Sequence, residues 1–269
     1  MSITDLTELA GRRSDPISKR LTKGLKPWGN TVAEGDEPGT FGIDKFGRNP
    51  TASAIGDVIQ DEDGPIVIET VATAVELISS DAQDNPSGTG AKAILIQGVD
   101  INWNPIEEIL ATNGVTVSSS TTQEFLYVYR AKIKNSGAQR TAGHITIKKT
   151  GAGATMAMIY QGYGQTQKAV MPVFAGCKMY IDILRFEGSK TGSLVGEIML
   201  MEYQLNEGIR VIHSLVFKDS DQKIIEWPEV PKVFQEKTLV WIEIRDAIAS
   251  NVMTASFDGV MERYEDSTP

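Results

Sequence analysis

The sequence predicts an all-β fold: an antiparallel β-sandwich or jelly-roll-like body of one or two β units, preceded by an extended N-terminal arm. Three observations predict it. From Gly64 onward, short runs rich in Ile, Val, Tyr and Phe alternate with Gly, Asn, Ser and Asp clusters at strand-like intervals of roughly 8 to 15 residues. No long stretch repeats its apolar residues at the helical period, so strands follow strands without helical crossovers, which implies antiparallel pairing. Residues 1–60 show neither period and are punctuated by Pro16, Pro27, Pro38, Pro50 and glycines from Gly11 to Gly56.

The 269 residues suffice for one large β domain or two modest ones. We divide them into an arm over 1–60, with one short helix around Ile17 to Leu25, a first β unit over 61–150 and a second over 151–269. The two units are separated at Gly151-Ala152-Gly153-Ala154 and could also form one continuous sandwich. In the first unit the expected strands are Ile66 to Val71, Val75 to Ser79, Ala93 to Val99, Ile106 to Ala111, Phe125 to Ile133 and His144 to Lys148. Asn85-Pro86-Ser87-Gly88, Asn104-Pro105, Asn113-Gly114 and Asn135-Ser136-Gly137 supply turns between them. The clearest alternation sets Phe125, Tyr127, Tyr129, Ala131 and Ile133 on one face, with Arg130, Lys132 and Lys134 on the other, the signature of a half-buried strand.

In the second unit the expected strands are Met156 to Tyr160, Ala169 to Val173, Met179 to Phe186, Glu197 to Tyr203, Ile209 to Phe217, Leu239 to Arg245 and Thr254 to Met261. Residues 219–236 contain Pro228 and Pro231 and read as an edge connection or loop, because proline cannot donate to a central ladder.

Charge narrows the partners. The net charge of −9 disfavours a phosphate backbone as ligand, so no direct nucleic-acid binding is expected. It is unevenly spread: residues 1–30 carry +3 and the remainder −12. A basic arm on an acidic body points to docking on something acidic, such as a neighbouring subunit of the same kind, with a solvated tail as the alternative. The residues assigned to this assembly arm are Arg12, Arg13, Lys19, Arg20, Lys23, Lys26, Trp28 and Phe46. The longest apolar runs, such as Ile198 to Met201, are far too short to span a bilayer, and the first residues lack the basic and apolar regions of a secretory signal. Cytosolic synthesis and no membrane partner are the expectation.

Chemistry-bearing patterns are weak throughout. His144 and His213 are the two histidines of the chain, without a second histidine at metal-ligand spacing. The single cysteine, Cys177, excludes an internal disulfide and lacks a thiol-enzyme signature. Gly88-Thr89-Gly90-Ala91-Lys92 departs from a phosphate loop, because Ala91 precedes the lysine, Ala93 follows it and a strand comes next. Asp61-Glu62-Asp63-Gly64 and the Asp81/Asp84 pair lack the twelve-residue loop with a terminal glutamate that a calcium site requires, and turn chemistry explains them more simply. No catalytic residue, metal or cofactor is assigned.

Several short pieces resemble a known family. Phe46-Gly47-Arg48-Asn49, Ser79 to Asp84, Gly88 to Lys92, Ile96 to Asp100, Asn113-Gly114, Gln235 to Thr238 and Ala255 to Gly259 are similar to motifs of structural, often uncharacterised, proteins of tailed and mostly marine bacteriophages. The resemblance runs over about residues 40–262 and departs from the family pattern at Leu239, where an acidic residue is usual. It implies a virion-associated β protein and carries over no functional residue. The leading expectation is a head-associated virion protein: a capsid decoration, minor capsid or head-fibre component binding its neighbours, including copies of itself, through its arm and sheet edges. A tail adaptor or fibre-attachment protein near the portal is the second reading, a carbohydrate- or receptor-binding module the third, and an enzyme the last.

Overall fold

The computed structural model describes residues 28–264, apart from 53, 63, 152, 189–194, 219–220, 228–229 and 246–250. A short helix, α1 (Trp28–Ala33), leads into β1 (Thr40–Ala52). There follow β2 (Val75–Ser79), β3 (Ala91–Val99), β4 (Pro105–Ala111), β5 (Tyr127–Ser136), β6 (Ile145–Lys149) and β7 (Thr155–Ile159). The chain continues through β8 (Val170–Pro172), β9 (Cys177–Gly188), β10 (Val195–Gln204), β11 (Gly208–Lys218), β12 (Asp221–Glu226), β13 (Lys232–Phe234), β14 (Thr238–Ile244) and β15 (Asn251–Arg263). These strands form four antiparallel sheets, so the fold is all-β and sandwich-like, as the strand spacing predicts.

Two separate cores organise the sheets. The first sheet, β1-β15-β9-β12 with β13 also on β9, and the second, β11-β10-β14-β8, share one buried cluster. Met179, Ile181, Leu184 and Phe186 of β9 and Met253, Ala255 and Phe257 of β15 meet Ile198 and Leu200 of β10 and Leu239 and Trp241 of β14 within it. The third sheet, β2-β6-β7, and the fourth, β4-β3-β5, enclose another cluster built on Val75, Leu77, Ile94, Ile96, Ile145 and Ile147. Each such side chain, withdrawn from water, contributes about 1.5–3 kcal/mol.

The order of these strands makes the second sandwich an insertion in the first. The first strand, β1, pairs with the last, β15, from Thr40↔Glu262 to Ala52↔Asn251. Strands β2 to β7 lie between β1 and β8, both of which belong to the first sandwich. The plan of an arm followed by two consecutive units differs from this. A division at residue 151 falls inside the β6–β7 hairpin, where Ile145 pairs with Ile159.

The stretch 40–52 is likewise strand, not arm. Its inward positions are Ile43, Lys45, Gly47 and Asn49, all buried, and only the first is apolar, which hides the two-residue period. Each exception has a cause. A Cβ at Gly47 would lie 1.9 Å from the carbonyl oxygen of Ile59 and 2.5 Å from the amide nitrogen of Ala169, so only glycine lets the segment at Ile59 come this close. The Asn49 side-chain amide donates to the carbonyl of Val58 at 3.1 Å. Lys45 donates to the carbonyl of Tyr129 at 2.6 Å. The helix expected around Ile17 to Leu25 lies outside the described residues.

Residues 66–71 form no strand; they follow Pro65, expose Val67 and Val71, and are held by side chains. The Glu69 N–H donates to the Tyr127 hydroxyl at 3.0 Å, and the Glu69 carboxylate pairs with Lys149 at 2.6 Å. Strands β12 and β13, in the proline-flanked stretch, both pair with β9 at the margin of the first sheet. In β5 the alternation is interrupted. Gln97 pairs with Arg130 and Gly98 with Val128, so Tyr129 is an extra residue, a β-bulge that switches faces. Tyr127 and Tyr129 therefore pack on the first core, and Ala131 and Ile133 on the second.

Candidate functional site

The outer face of the first sheet carries a groove whose shape follows from side-chain size along three neighbouring strands. Strand register aligns Arg48 of β1 with Thr254 of β15, Glu187 of β9 and Gln222 of β12. The next outward row is Phe46, Ser256, Arg185 and Ile224, and the one beyond is Asp44, Asp258, Ile183 and Glu226. Short Thr254 and Ser256 on the middle strand lie between long side chains on both flanks. The result is a cleft of about 370 Å3 with Ser256 and Thr254 as its floor, Phe46 and Arg48 on one wall, and Arg185 and Glu187 on the other. Gln167 and Gln222 complete its rim.

The two guanidinium groups differ. Arg185 forms an ion pair with Asp258, which occupies part of its fork. Arg48 makes no side-chain hydrogen bond among the described residues; only its backbone N–H donates, to the carbonyl of Gln167 at 3.4 Å. Its charge acts on Asp61, a buried carboxyl whose pKa burial pushes up to about 6, against the opposing effects of the Gln167 N–H and of Arg48. One oxygen of Asp61 accepts that N–H at 3.0 Å, whereas the other, also buried, has no hydrogen-bond partner among the described residues.

A buried and a partly buried cation, Lys45 and Lys168, mark the junction with the inserted sandwich. Lys45 is 4% exposed, and burial, then Arg130 and Lys168, hold its ammonium well below the usual lysine range. Lys168 donates to the carbonyl of Met156 at 2.6 Å, and burial lowers its pKa to about 8. Among the described residues both cations reach main-chain oxygens as their hydrogen-bond acceptors.

A different kind of surface lies on β11. This 11-residue strand is the edge of the second sheet, paired on one side with β10. Ile209, Val211 and Val216 are 54%, 50% and 58% exposed along it. It carries no proline, and its Arg210 pairs with the buried Glu202 of β10 at 2.8 Å, so most of its exposed positions lack the usual devices that block strand addition.

Of the residues assigned to the assembly arm, Arg12, Arg13, Lys19, Arg20, Lys23 and Lys26 lie outside the described residues. Trp28 opens α1, and Phe46 belongs to β1 as a wall of the groove, which corrects its place in an arm. His144 packs edge-on against Tyr160 in the inserted sandwich, and His213 against Trp227 beside β12. Cys177 is buried in the first core, where burial raises its thiol pKa. Among the described residues no group of three or more His, Cys, Asp or Glu side chains is placed to hold a metal ion, and no helix is long and apolar enough to cross a membrane.

The short motifs, by contrast, have structural work. Ser79 to Asp84, Gly88 to Lys92 and Asn113-Gly114 converge on the fully buried residue Asp84, the first two through its carboxylate and the last through its main chain. It accepts the Ser79 hydroxyl at 2.6 Å, the Ala91 N–H at 2.7 Å, and the Ala142 and Gly143 N–H groups at 2.9 Å each. The Gly114 N–H meets the Asp84 carbonyl at 2.6 Å. A Cβ at Gly90 would lie 2.2 Å from the Asp84 carboxylate, which is why glycine stands there. The apparent phosphate loop is thus an internal clamp.

No protein-family model matches the chain. No curated protein matches it either. Among solved structures it is similar to the VP2 subviral particle of infectious bursal disease virus, at 6% identity and a TM-score of 0.13, over 85% of this chain and 81% of that one. The structure of the Gt strain of the same virus gives 7% identity and a TM-score of 0.12, over 85% and 82%. Likeness at this level carries no argument about the chain, and what it does has to be argued from its own surfaces.

Proposed function

We propose that the chain is a structural protein of a tailed-phage particle, stationed at the head as a decoration, minor capsid or head-fibre component. Its β11 edge and its basic N-terminal residues would be its contacts with neighbouring virion proteins. The observation that carries the reading is the β11 edge, eleven residues of strand with no further strand beside it among the described residues and with exposed Ile209, Val211 and Val216. An edge of this length and polarity invites a neighbouring strand, and many symmetric copies would turn individually modest contacts into a stable shell. The motif resemblance over about residues 40–262 supports the same reading. Station at the tail, as an adaptor or fibre-attachment protein, is the alternative that copy number separates.

The test is the composition of purified particles by quantitative mass spectrometry. Hundreds of copies per particle support the head; a small multiple of three or six moves the protein to the tail. Absence from the particle refutes a virion role. In the same experiment, chains carrying Val211→Lys are expected to be depleted from particles relative to wild type.

A further inference from the structure

We propose that the groove along β15 is a binding site for an acidic saccharide, a sugar ring bearing a carboxylate. The cleft of about 370 Å3 lies within the size range of small-ligand sites. Its floor is Ser256 and Thr254, whose hydroxyls can both donate and accept. Phe46 supplies an aromatic flank suited to the C–H face of a pyranose, and Gln222 and Glu187 supply opposing polar groups for ring hydroxyls.

The charge pattern selects the acid. Arg48 brings a guanidinium whose charge acts on Asp61 but which makes no side-chain hydrogen bond among the described residues, so its planar fork is open to a carboxylate. Glu187 on the wall and the Asp258 that holds Arg185 oppose a second negative charge. A multiply charged phosphate or polyanion is therefore disfavoured, and a singly charged ring with neutral hydroxyls fits. This inference does not depend on the place of the chain in a particle.

Titration of the full chain with free glucuronate, followed by ligand-observed NMR, tests it, with glucose and inorganic phosphate as parallel arms. Saturable transfer to the glucuronate ring protons is expected, with glucose and phosphate each bound at least about tenfold more weakly, the step associated with losing a charge-assisted bidentate contact. Arg48→Gln should weaken glucuronate by a similar factor, and Ser256→Gln, which fills the floor without touching a charge, should abolish it. Circular dichroism melts of both variants separate lost binding from lost folding. Absence of glucuronate binding, equal binding of glucose, tighter binding of phosphate, or full affinity in folded Ser256→Gln would each overturn the proposal.

Discussion

The carboxylate of Asp84 accepts the backbone N–H of Gly143 at 2.9 Å, tying two loops that lie 59 residues apart in sequence. It accepts the N–H groups of Ala91 and Ala142 as well, so one side chain closes the loop after β2, the start of β3 and the approach to β6. Asp84→Ala would leave these buried donors unsatisfied at about 1–3 kcal/mol each. The expected loss is on the order of 4 kcal/mol in urea denaturation followed by circular dichroism. A change within experimental error would show that water replaces the carboxylate at no cost.

Asp61 should make stability depend on pH in the acid range. Its folded pKa of about 6 lies above the ordinary 3.8, so the folded protein keeps a proton that the unfolded chain releases. The contribution is full below the unfolded pKa and is lost as pH rises through about 6, on the order of 3 kcal/mol in total. Denaturant titrations at intervals across this window should show Asp61→Asn gaining on wild type with rising pH. A constant difference between the two proteins would contradict the assignment.

Lys168 predicts a rise at the alkaline end. Its folded pKa of about 8 lies below the ordinary 10.5, so at neutral pH the fold bears the cost of a partly buried charge that the unfolded chain hydrates freely. That cost disappears as pH climbs from about 8 towards 10.5, and Lys45, lowered in the same direction by burial, adds to the trend. Lys168→Met should flatten the profile measured by denaturation between these limits, and an unchanged slope would argue that the ammonium is solvated.

The β11 edge should matter to assembly and not to folding. Because Ile209 and Val211 are half exposed, replacing either by lysine should change the stability of the isolated chain by no more than about 0.5 kcal/mol. A variant that melts several degrees lower would place these side chains in the fold and not at an interface.

Legibility in the sequence followed the cleanness of the two-residue period. Strand β2 occupies Val75–Ser79, as its continuous Val-Glu-Leu-Ile-Ser run predicts, and β10 and β14 lie where their apolar runs place them. Strand β1 was hidden because three of its four inward positions are filled by a lysine, a glycine and an asparagine, each serving a long-range contact with residues 58, 59 or 129. The insertion of one sandwich in the other was hidden for the same reason, since recognising it requires knowing that β1 is a strand. The groove had no local signal: its walls come from residues near 48, 186, 222 and 255, and Thr254 and Ser256 read in isolation as an ordinary solvated face. Phe46 was singled out, but as part of an arm. The Asp84 clamp is visible in the sequence as separate motifs, and the fold shows that they meet at one residue.

Incorporation of the chain into a particle through its exposed edge is tested most directly by a three-dimensional reconstruction of the intact virion. The predicted result is density for the two sandwiches in many symmetric copies, with β11 lying against a neighbouring protein. A particle without this density, or one in which every copy turns Ile209, Val211 and Val216 to solvent, would contradict it.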